Sequence, residues 1–116
     1  MMYSQGEILL IPFPYSDLSS TKKRPVLVLS NTEYNQSHKD IVVAAITSNI
    51  AERDYLIQIS ESDLVKGQLK VESGIRVDKI YTFSDNIVIK SFGQISSEKM
   101  SQVRARLYEL FSILGA

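Results

Sequence analysis

The residue types that most often carry out chemistry are scarce in this sequence. The chain of 116 residues has no cysteine and a single histidine, His38. The absence of cysteine excludes disulfides and thiolate metal sites, and one histidine cannot build a histidine-rich zinc or iron site. There is no phosphate-binding glycine loop and no G-x-S-x-G nucleophile motif. Any catalysis must therefore be independent of metal ions or use a metal held mostly by carboxylates.

His38 is the only residue that could serve as the base of a Ser-His-Asp triad. It lies in the polar segment 31–39, where a solvent-exposed surface histidine is the simpler interpretation. A nuclease that uses two histidines is excluded by the count.

More informative polar residues stand at the ends of predicted strands. Arg24 completes a run of three cations with Lys22 and Lys23, directly before an apolar strand. Thr47 ends another apolar run and is followed by Ser48. The cations fit a solvated basic turn as well as a binding site, and Thr47 fits a strand-end hydroxyl that bonds to the local backbone. Neither residue identifies a function in isolation.

The elements that position these residues are mostly strands. Short apolar or alternating runs predict strands at 7–11, 25–30, 40–47, 55–59, 74–77, 79–83 and 87–95. Pro12 and Pro14 predict the end of the first strand and a loop over 12–23. We expect a loop with at most one helical turn over 31–39 and a turn over 84–86. The spacing of Ser60 and Asp63 predicts a capping box and a helix of one or two turns that ends at Gly67.

Apolar residues near the end of the chain recur with the periodicity of an α-helix. Ser96 is a good N-cap residue, and Gly115 predicts the end of the helix. One apolar stripe follows the N-cap and predicts packing on the rest of the domain: Met100, Val103, Leu107, Leu110, Phe111 and Leu114. Short strands without long crossover helices favour an α+β, mainly β fold, a small antiparallel barrel with a C-terminal α-helix.

Composition limits the remaining possibilities. Thirteen basic residues balance thirteen acidic ones, which argues against a protein that coats nucleic acid but leaves room for a local basic groove. The length suits one domain over 1–116. No apolar run reaches the roughly 20 residues of a membrane span, and the N-terminus lacks the layout of a secretion signal. We therefore expect a soluble, cytoplasmic protein.

Four segments, taken together and in order, resemble the MazF/PemK family of type II toxin–antitoxin toxins: 6–8, 24–30, 41–48 and 74–80. The resemblance runs from about Gly6 to Leu114. It implies a small SH3-like (CcdB/MazF/PemK-like) barrel and a homodimer. It also implies a metal-independent endoribonuclease, or mRNA interferase, that cuts single-stranded RNA at short sequences, needs no cofactor and is neutralised by a cognate antitoxin. By the same resemblance Arg24 and Thr47 are the catalytic pair, and Ser48 lies beside them at the substrate.

The chemistry of these residues suits that role. Attack of a ribose 2′-OH on the neighbouring phosphate builds negative charge on the phosphoryl oxygens, which the permanently charged, planar guanidinium of Arg24 can stabilise. Thr47 can position the 2′-OH or a phosphate oxygen. Arg24 is a poor general base, because arginine is effectively never deprotonated.

Further residues are candidates for binding RNA. Phe13 and Tyr15 offer faces on which bases can stack, beside Lys22 and Lys23, although Phe13 fits the core equally well. On a later strand and its edge, two more cations either extend the phosphate track or form surface ion pairs with Asp78 and Glu72: Arg76 and Lys79. The basic residues also suit an acidic, initially disordered antitoxin segment that folds on binding.

The chain departs from the family pattern in two places. Many relatives carry an acidic-Gln-Gly run before the Arg-Pro motif, where this chain reads Ser16 to Lys23, and Lys79 stands where Gln is common. Both changes bear on the RNA sequence that the protein would prefer.

Two other functions stay open. One is a non-enzymatic toxin of the same fold that inhibits gyrase, although the tail Leu114-Gly115-Ala116 lacks the aromatic residue expected of it. The other is a catalytically inactive barrel that acts as a binding module.

Overall fold

The computed structural model describes residues 3–13, 22–51 and 53–112, except for the side chain of Phe13. Within these ranges the strands are β1 Glu7–Phe13, β2 Lys22–Val28, β3 Asp40–Thr47, β4 Leu56–Ile59, β5 Leu64–Gly67, β6 Ser73–Ser84 and β7 Lys90–Ile95. The helices are α1 Thr32–Ser37 and α2 Ser97–Phe111, and two short 3₁₀ turns cover Glu61–Asp63 and Asp85–Ile87.

All neighbouring strands pair antiparallel, in the order β4-β6-β3-β2-β1-β7-β5. The sheet forms a half-barrel, and β4 and β5 are its two edges. This arrangement confirms the predicted mainly β fold with a C-terminal helix. It also puts β2 and β3, the strands that carry Arg24 and Thr47, side by side near the middle of the sheet.

The sheet buries apolar side chains on both faces, because successive residues of a strand point to opposite sides. The first cluster includes Leu27 and Ala44 and receives Met100 and Val103 from α2. The second cluster lies on the other face and includes Val26 and Val43. The central strand β3 contributes to both clusters, as its apolar run predicts.

The predicted end of β1 at Pro12 is wrong, because the strand continues to Phe13. Pro12 pairs with Lys23, so β2 begins at Lys22, within the segment predicted to be a loop. The physical reason is that β7 pairs only with Glu7–Leu10. The β1 residues after Leu10 are therefore not paired with β7. A proline is tolerated where no ladder hydrogen bond requires its missing N–H.

The predicted helix over 60–67 is also wrong beyond its first turn. The capping box is present, since the Ser60 N–H donates to Asp63 Oδ2 at 2.9 Å. It starts only the 3₁₀ turn, after which β5 pairs Leu64 with Ile95 and Gly67 with Gly93. Pairing with a strand about thirty residues away therefore outweighs the local helix signal.

The segments predicted as separate strands at 74–77 and 79–83 form the single strand β6. Its ladder with β3 pairs Ala45 with Arg76 and Ala44 with Ile80, so residues 77–79 form a bulge. The turn predicted over 84–86 is the 3₁₀ turn Asp85–Ile87, and β7 consequently begins at Lys90 rather than at Ile87.

Both helices are capped by the residues that precede them. Asn31 accepts a hydrogen bond from the Tyr34 N–H at 2.7 Å, and α1 has six residues, more than the single turn predicted. Ser96 caps α2 as predicted, with the Lys99 N–H as donor.

Only the first half of the predicted apolar stripe of α2 is buried. Met100 and Val103 are buried, Leu107 and Leu110 are half-buried, and Phe111 is 70% exposed. Leu114 and Gly115 lie outside the described residues. None of the helices in the described ranges is long and apolar enough to cross a lipid bilayer.

Candidate functional site

The β2·β3 ladder stops two residues short of Arg24 and Thr47. The ladder pairs Val28 with Val43, Leu27 with Ala44 and Val26 with Ala45. It ends next to Pro25, which has no N–H to donate. Extrapolated by two residues beyond its last pair, the same register would set Arg24 opposite Thr47. Directly opposite residues of an antiparallel pair project to the same face, so both side chains share one side of the sheet.

Both side chains keep hydrogen-bond donors that no contact within the described ranges uses. Arg24 is half-buried, and within the described ranges no hydrogen bond or ion pair engages its guanidinium. Thr47 Oγ1 accepts a hydrogen bond from the Asn49 N–H at 3.0 Å, a local strand-end contact. The Thr47 hydroxyl still has its own hydrogen to donate. The pair therefore offers one charged donor set and one neutral donor to a bound anion.

On the other side of β3, the strand β6 places two more residues next to Thr47 and Ala45. Thr47 pairs with Gly74, and Ala45 pairs with Arg76. Arg76 is thus a diagonal neighbour of Thr47, at about 7 Å, a distance that long side chains span. Gly74 has no side chain. A Cβ atom at this position would lie 2.8 Å from Leu56 Cδ1.

Arg76 is held in an ion pair with Asp78. Its Nε donates to Asp78 Oδ1 at 3.1 Å and its Nη2 donates to Oδ2 at 3.3 Å. The hydrogen bond from Arg76 lowers the pKa of the Asp78 carboxyl from its ordinary value, and partial burial opposes that shift. The positive charges of Arg76 and Lys79 also act to lower it. The sequence analysis considered this ion pair as an alternative to a phosphate track, and the structure contains it.

The three adjacent cations of β2 do not act as one patch. Lys22 and Arg24 share a face of β2, and Lys23 projects to the opposite face. Lys22 pairs with Phe13, and both lysines are exposed. The side chain of Phe13 and the whole of Tyr15 lie outside the described part of the chain.

The other candidates lie at the rim or away from the cleft. Ser48 is exposed directly after β3, and Lys79 is exposed in the bulge of β6. His38 is exposed, and its ring stacks on Tyr34 with centroids 4.0 Å apart. This confirms the interpretation of a surface histidine. In residues 3–13, 22–51 and 53–112, no three His, Cys, Asp or Glu side chains are grouped so that they could hold a metal ion.

A cavity of about 400 Å³ beside β2 was not predicted. It lies next to Pro25, whose side chain alternates with that of Arg24, and so it opens on the other side of β2. Apolar residues and two lysines line it: Leu69, Val71, Phe92, Lys70 and Lys90. Lys90 Nζ lies 5.0 Å above the Phe92 ring. The only signal in the sequence was the alternation of apolar and charged residues at 69–72.

Comparisons with known proteins agree on one family. The family model described as PemK-like, MazF-like toxin of type II toxin-antitoxin system matches residues 4–111. No curated protein matches the chain in sequence.

Several solved structures share the fold. An endoribonuclease from Mycobacterial species, in complex with its cognate antitoxin, superposes with a TM-score of 0.74 at 18% identity and covers 92% of each chain. The Mycobacterium tuberculosis toxin MazF-mt6 gives 0.74 at 17% identity, covering 90% of this chain and 95% of that chain. A MazE-MazF structure from Deinococcus radiodurans gives 0.78 at 17% identity, covering 95% and 96%.

Proposed function

The chain belongs to the PemK-like, MazF-like toxins of type II toxin-antitoxin systems, and from this premise we propose that it is an endoribonuclease toxin. It cleaves single-stranded RNA at specific short sequences, without a metal ion, as one toxin domain that acts in the cytoplasm as a homodimer. A cognate antitoxin neutralises it. Similar folds that are named as endoribonucleases, one of them with its cognate antitoxin, support this assignment.

The observation that carries the proposal is the register of the β2·β3 ladder, which, extrapolated by two residues beyond its last pair, would set Arg24 and Thr47 on one face of the sheet. In the reaction that we propose, the ribose 2′-oxygen attacks the adjacent phosphorus and the bond from phosphorus to the 5′-oxygen breaks. The products are a 2′,3′-cyclic phosphate and a 5′-hydroxyl, so the proton lost by the 2′-OH is balanced by one gained at the 5′-oxygen. RNA supplies its own nucleophile, and DNA therefore cannot react.

Arg24 and Thr47 divide the work in this reaction. The guanidinium stays charged throughout and stabilises the negative charge that grows on the phosphoryl oxygens. The Thr47 hydroxyl donates to a phosphoryl oxygen or orients the 2′-OH. Arg24 is not tied to an acidic partner in the described part of the chain, so the phosphate need not displace a carboxylate to reach it.

Other residues contribute to binding in this proposal. Lys22, on the same face as Arg24, attracts the RNA backbone, and Ser48 contacts the substrate at the end of β3. Arg76 and Lys79 extend the phosphate track along β6, and Lys23 adds long-range attraction from the opposite face. Phe13 and Tyr15 supply stacking surfaces for unpaired bases. The same cationic surface suits an acidic antitoxin segment, which would compete with RNA.

The test is cleavage of a mixed set of unstructured RNAs by the purified chain in EDTA. We expect cutting at defined sites, products that end in a cyclic phosphate, and loss of cutting in Arg24→Ala. Arg104→Ala removes an exposed arginine from α2 and is the matched control, which should cut like the wild type. Intact RNA across all substrates, with relaxed plasmid accumulating on expression, would instead identify a gyrase inhibitor.

A further inference from the structure

A carboxylate, that of Asp78, lies beside the proposed RNA-binding residue Arg76, although the proposed substrate is an anion. Asp78 engages Arg76 through two hydrogen bonds of 3.1 and 3.3 Å. The Arg76 side chain is 19% exposed and that of Asp78 is 32% exposed. A carboxylate at this place either weakens RNA binding by repulsion or serves it by holding the arginine.

The position of Asp78 favours the second role. Thr47 pairs with Gly74, and Arg76 and Asp78 follow along β6 in steps of two, away from that pair. Residues 77–79 form the bulge that leaves the ladder with β3. Along the backbone of β6, Asp78 therefore lies on the side of Arg76 that is farther from Thr47.

The donor count points the same way. A guanidinium has five N–H donors, and Asp78 takes one from Nε and one from Nη2. Three donors remain for a phosphate. An arginine that is already held in one geometry loses less conformational freedom when it binds than a free arginine does.

We propose that Asp78 is a positioning residue, which holds the Arg76 guanidinium as a second phosphate contact beside Arg24 and Thr47. This inference rests on the proposed function, because the phosphate belongs to the RNA substrate. It separates the two arginines by role: Arg24 is free to follow the reacting phosphate, and Arg76 is a fixed anchor for a neighbouring one.

Asp78→Asn distinguishes positioning from repulsion by the sign of its effect. The substitution keeps the size of the side chain and one acceptor oxygen, but it removes the charge and the two-point grip. If Asp78 acted only as a negative charge near RNA, its loss would tighten binding. If Asp78 positions Arg76, its loss weakens binding by about three- to tenfold, the expected cost of ordering one long side chain.

The assay is fluorescence anisotropy with a labelled single-stranded RNA that carries 2′-deoxyribose at the mapped cleavage position, so that it binds without reacting. We expect weaker binding by Asp78→Asn with an unchanged slope of log Kd against log salt, because Arg76 keeps its charge, whereas Arg76→Ala should reduce that slope by about 0.7, the value for one lost phosphate contact on a single strand. In an Arg76→Ala background Asp78→Asn should not weaken binding further, and relief of repulsion by the unpaired carboxylate can only tighten it. Glu72→Gln neutralises an exposed acidic residue near the start of β6 and is the matched control, which should bind as well as the wild type or better.

Cleavage kinetics give a second measurement. Asp78→Asn should raise KM three- to tenfold and leave kcat within about twofold, because Arg76 anchors the RNA in both the ground state and the transition state. The melting temperature should fall only slightly, since the Asp78 side chain is 32% exposed and solvent screens its ion pair. Tighter binding, unchanged binding, or an equal loss in the Arg76→Ala background would overturn this inference alone. A wild-type chain that neither binds nor cuts any RNA would overturn the proposed function and this inference with it.

Discussion

Replacement of Thr47 by valine should separate activity from stability. Valine has nearly the same shape and keeps the β-branch that suits a strand, so the change removes the hydroxyl and little else. In the fold this hydroxyl accepts one hydrogen bond, from the Asn49 N–H at 3.0 Å. Asn49 is exposed, so water can replace the lost acceptor. The free energy of unfolding should therefore change by about 1 kcal/mol or less.

The effect on the reaction should be much larger. A preorganised donor to a developing oxyanion contributes roughly 100- to 1000-fold to the rate, or about 2.7–4 kcal/mol of transition-state stabilisation. We expect a loss of this size in kcat for Thr47→Val and recovery of most of the rate in Thr47→Ser, which restores the hydroxyl. The experiment therefore compares the loss in kcat with the loss in the free energy of unfolding.

Single-turnover cleavage of a short labelled RNA, with urea unfolding measured on the same preparations, checks this prediction. Thr82→Val is the matched control, because Thr82 is an exposed threonine in a strand and pairs with Val42, far along β6 from Gly74. It should cut RNA at the wild-type rate. If Thr47→Val keeps its rate within about threefold, or if Thr82→Val loses as much, the assignment of the hydroxyl to the reaction is wrong.

Three further predictions follow from strand geometry and charge. Lys22→Ala should weaken RNA binding more than Lys23→Ala in anisotropy titrations, because only Lys22 shares the face of the proposed catalytic pair. Gly67→Ala should lower the free energy of unfolding by about 2–6 kcal/mol, since its φ is +94° and a Cβ would clash with the backbone oxygen of Phe92. Gly74→Ala, where the obstacle is a flexible leucine side chain, should cost less in the same urea titration. NMR titration should find the pKa of Asp78 below its ordinary value. Because the native pKa is the lower one, the stabilisation from this carboxylate is present at neutral pH and is lost as the pH falls through that pKa.

The elements that sequence alone predicts well are those whose local pattern agrees with their long-range pairing. The run 40–47 is apolar on both faces and forms β3 with the predicted bounds. Ser96 and the apolar positions Met100 and Val103 likewise place the start and the buried face of α2. In these segments the local preference and the packing require the same conformation.

The failures occur where distant pairing decides. The capping box at Ser60 is formed, but the residues after it join Ile95 in a ladder that no local pattern reveals. A proline usually interrupts a β ladder because it has no N–H. Pro12 is tolerated because β7 pairs with β1 only up to Leu10, so no ladder with β7 requires that N–H. Both errors have the same cause: the neighbour that satisfies the backbone lies far away in the chain.

The candidate site shows the same division. Arg24 and Thr47 could be named from the sequence through the family resemblance, but their closeness depends on a register that only the fold defines. The ion pair between Asp78 and Arg76 lies at the bulge at 77–79, where the sequence pattern predicts two separate strands. Residue types are visible in a sequence, whereas their faces and partners follow from pairing.

The buried residues of β2 therefore hold the site in place. Val26 and Leu27 point to opposite faces of the sheet, and each is fully buried in its own cluster. A slip of one residue against β3 would exchange these faces and turn Arg24 away from Thr47. The core cannot accept such a slip without exposing apolar surface, so it fixes the register of the candidate site together with the fold. Arg24 itself adds no side-chain polar contact in the described part of the chain, so its guanidinium is available to the substrate that we propose.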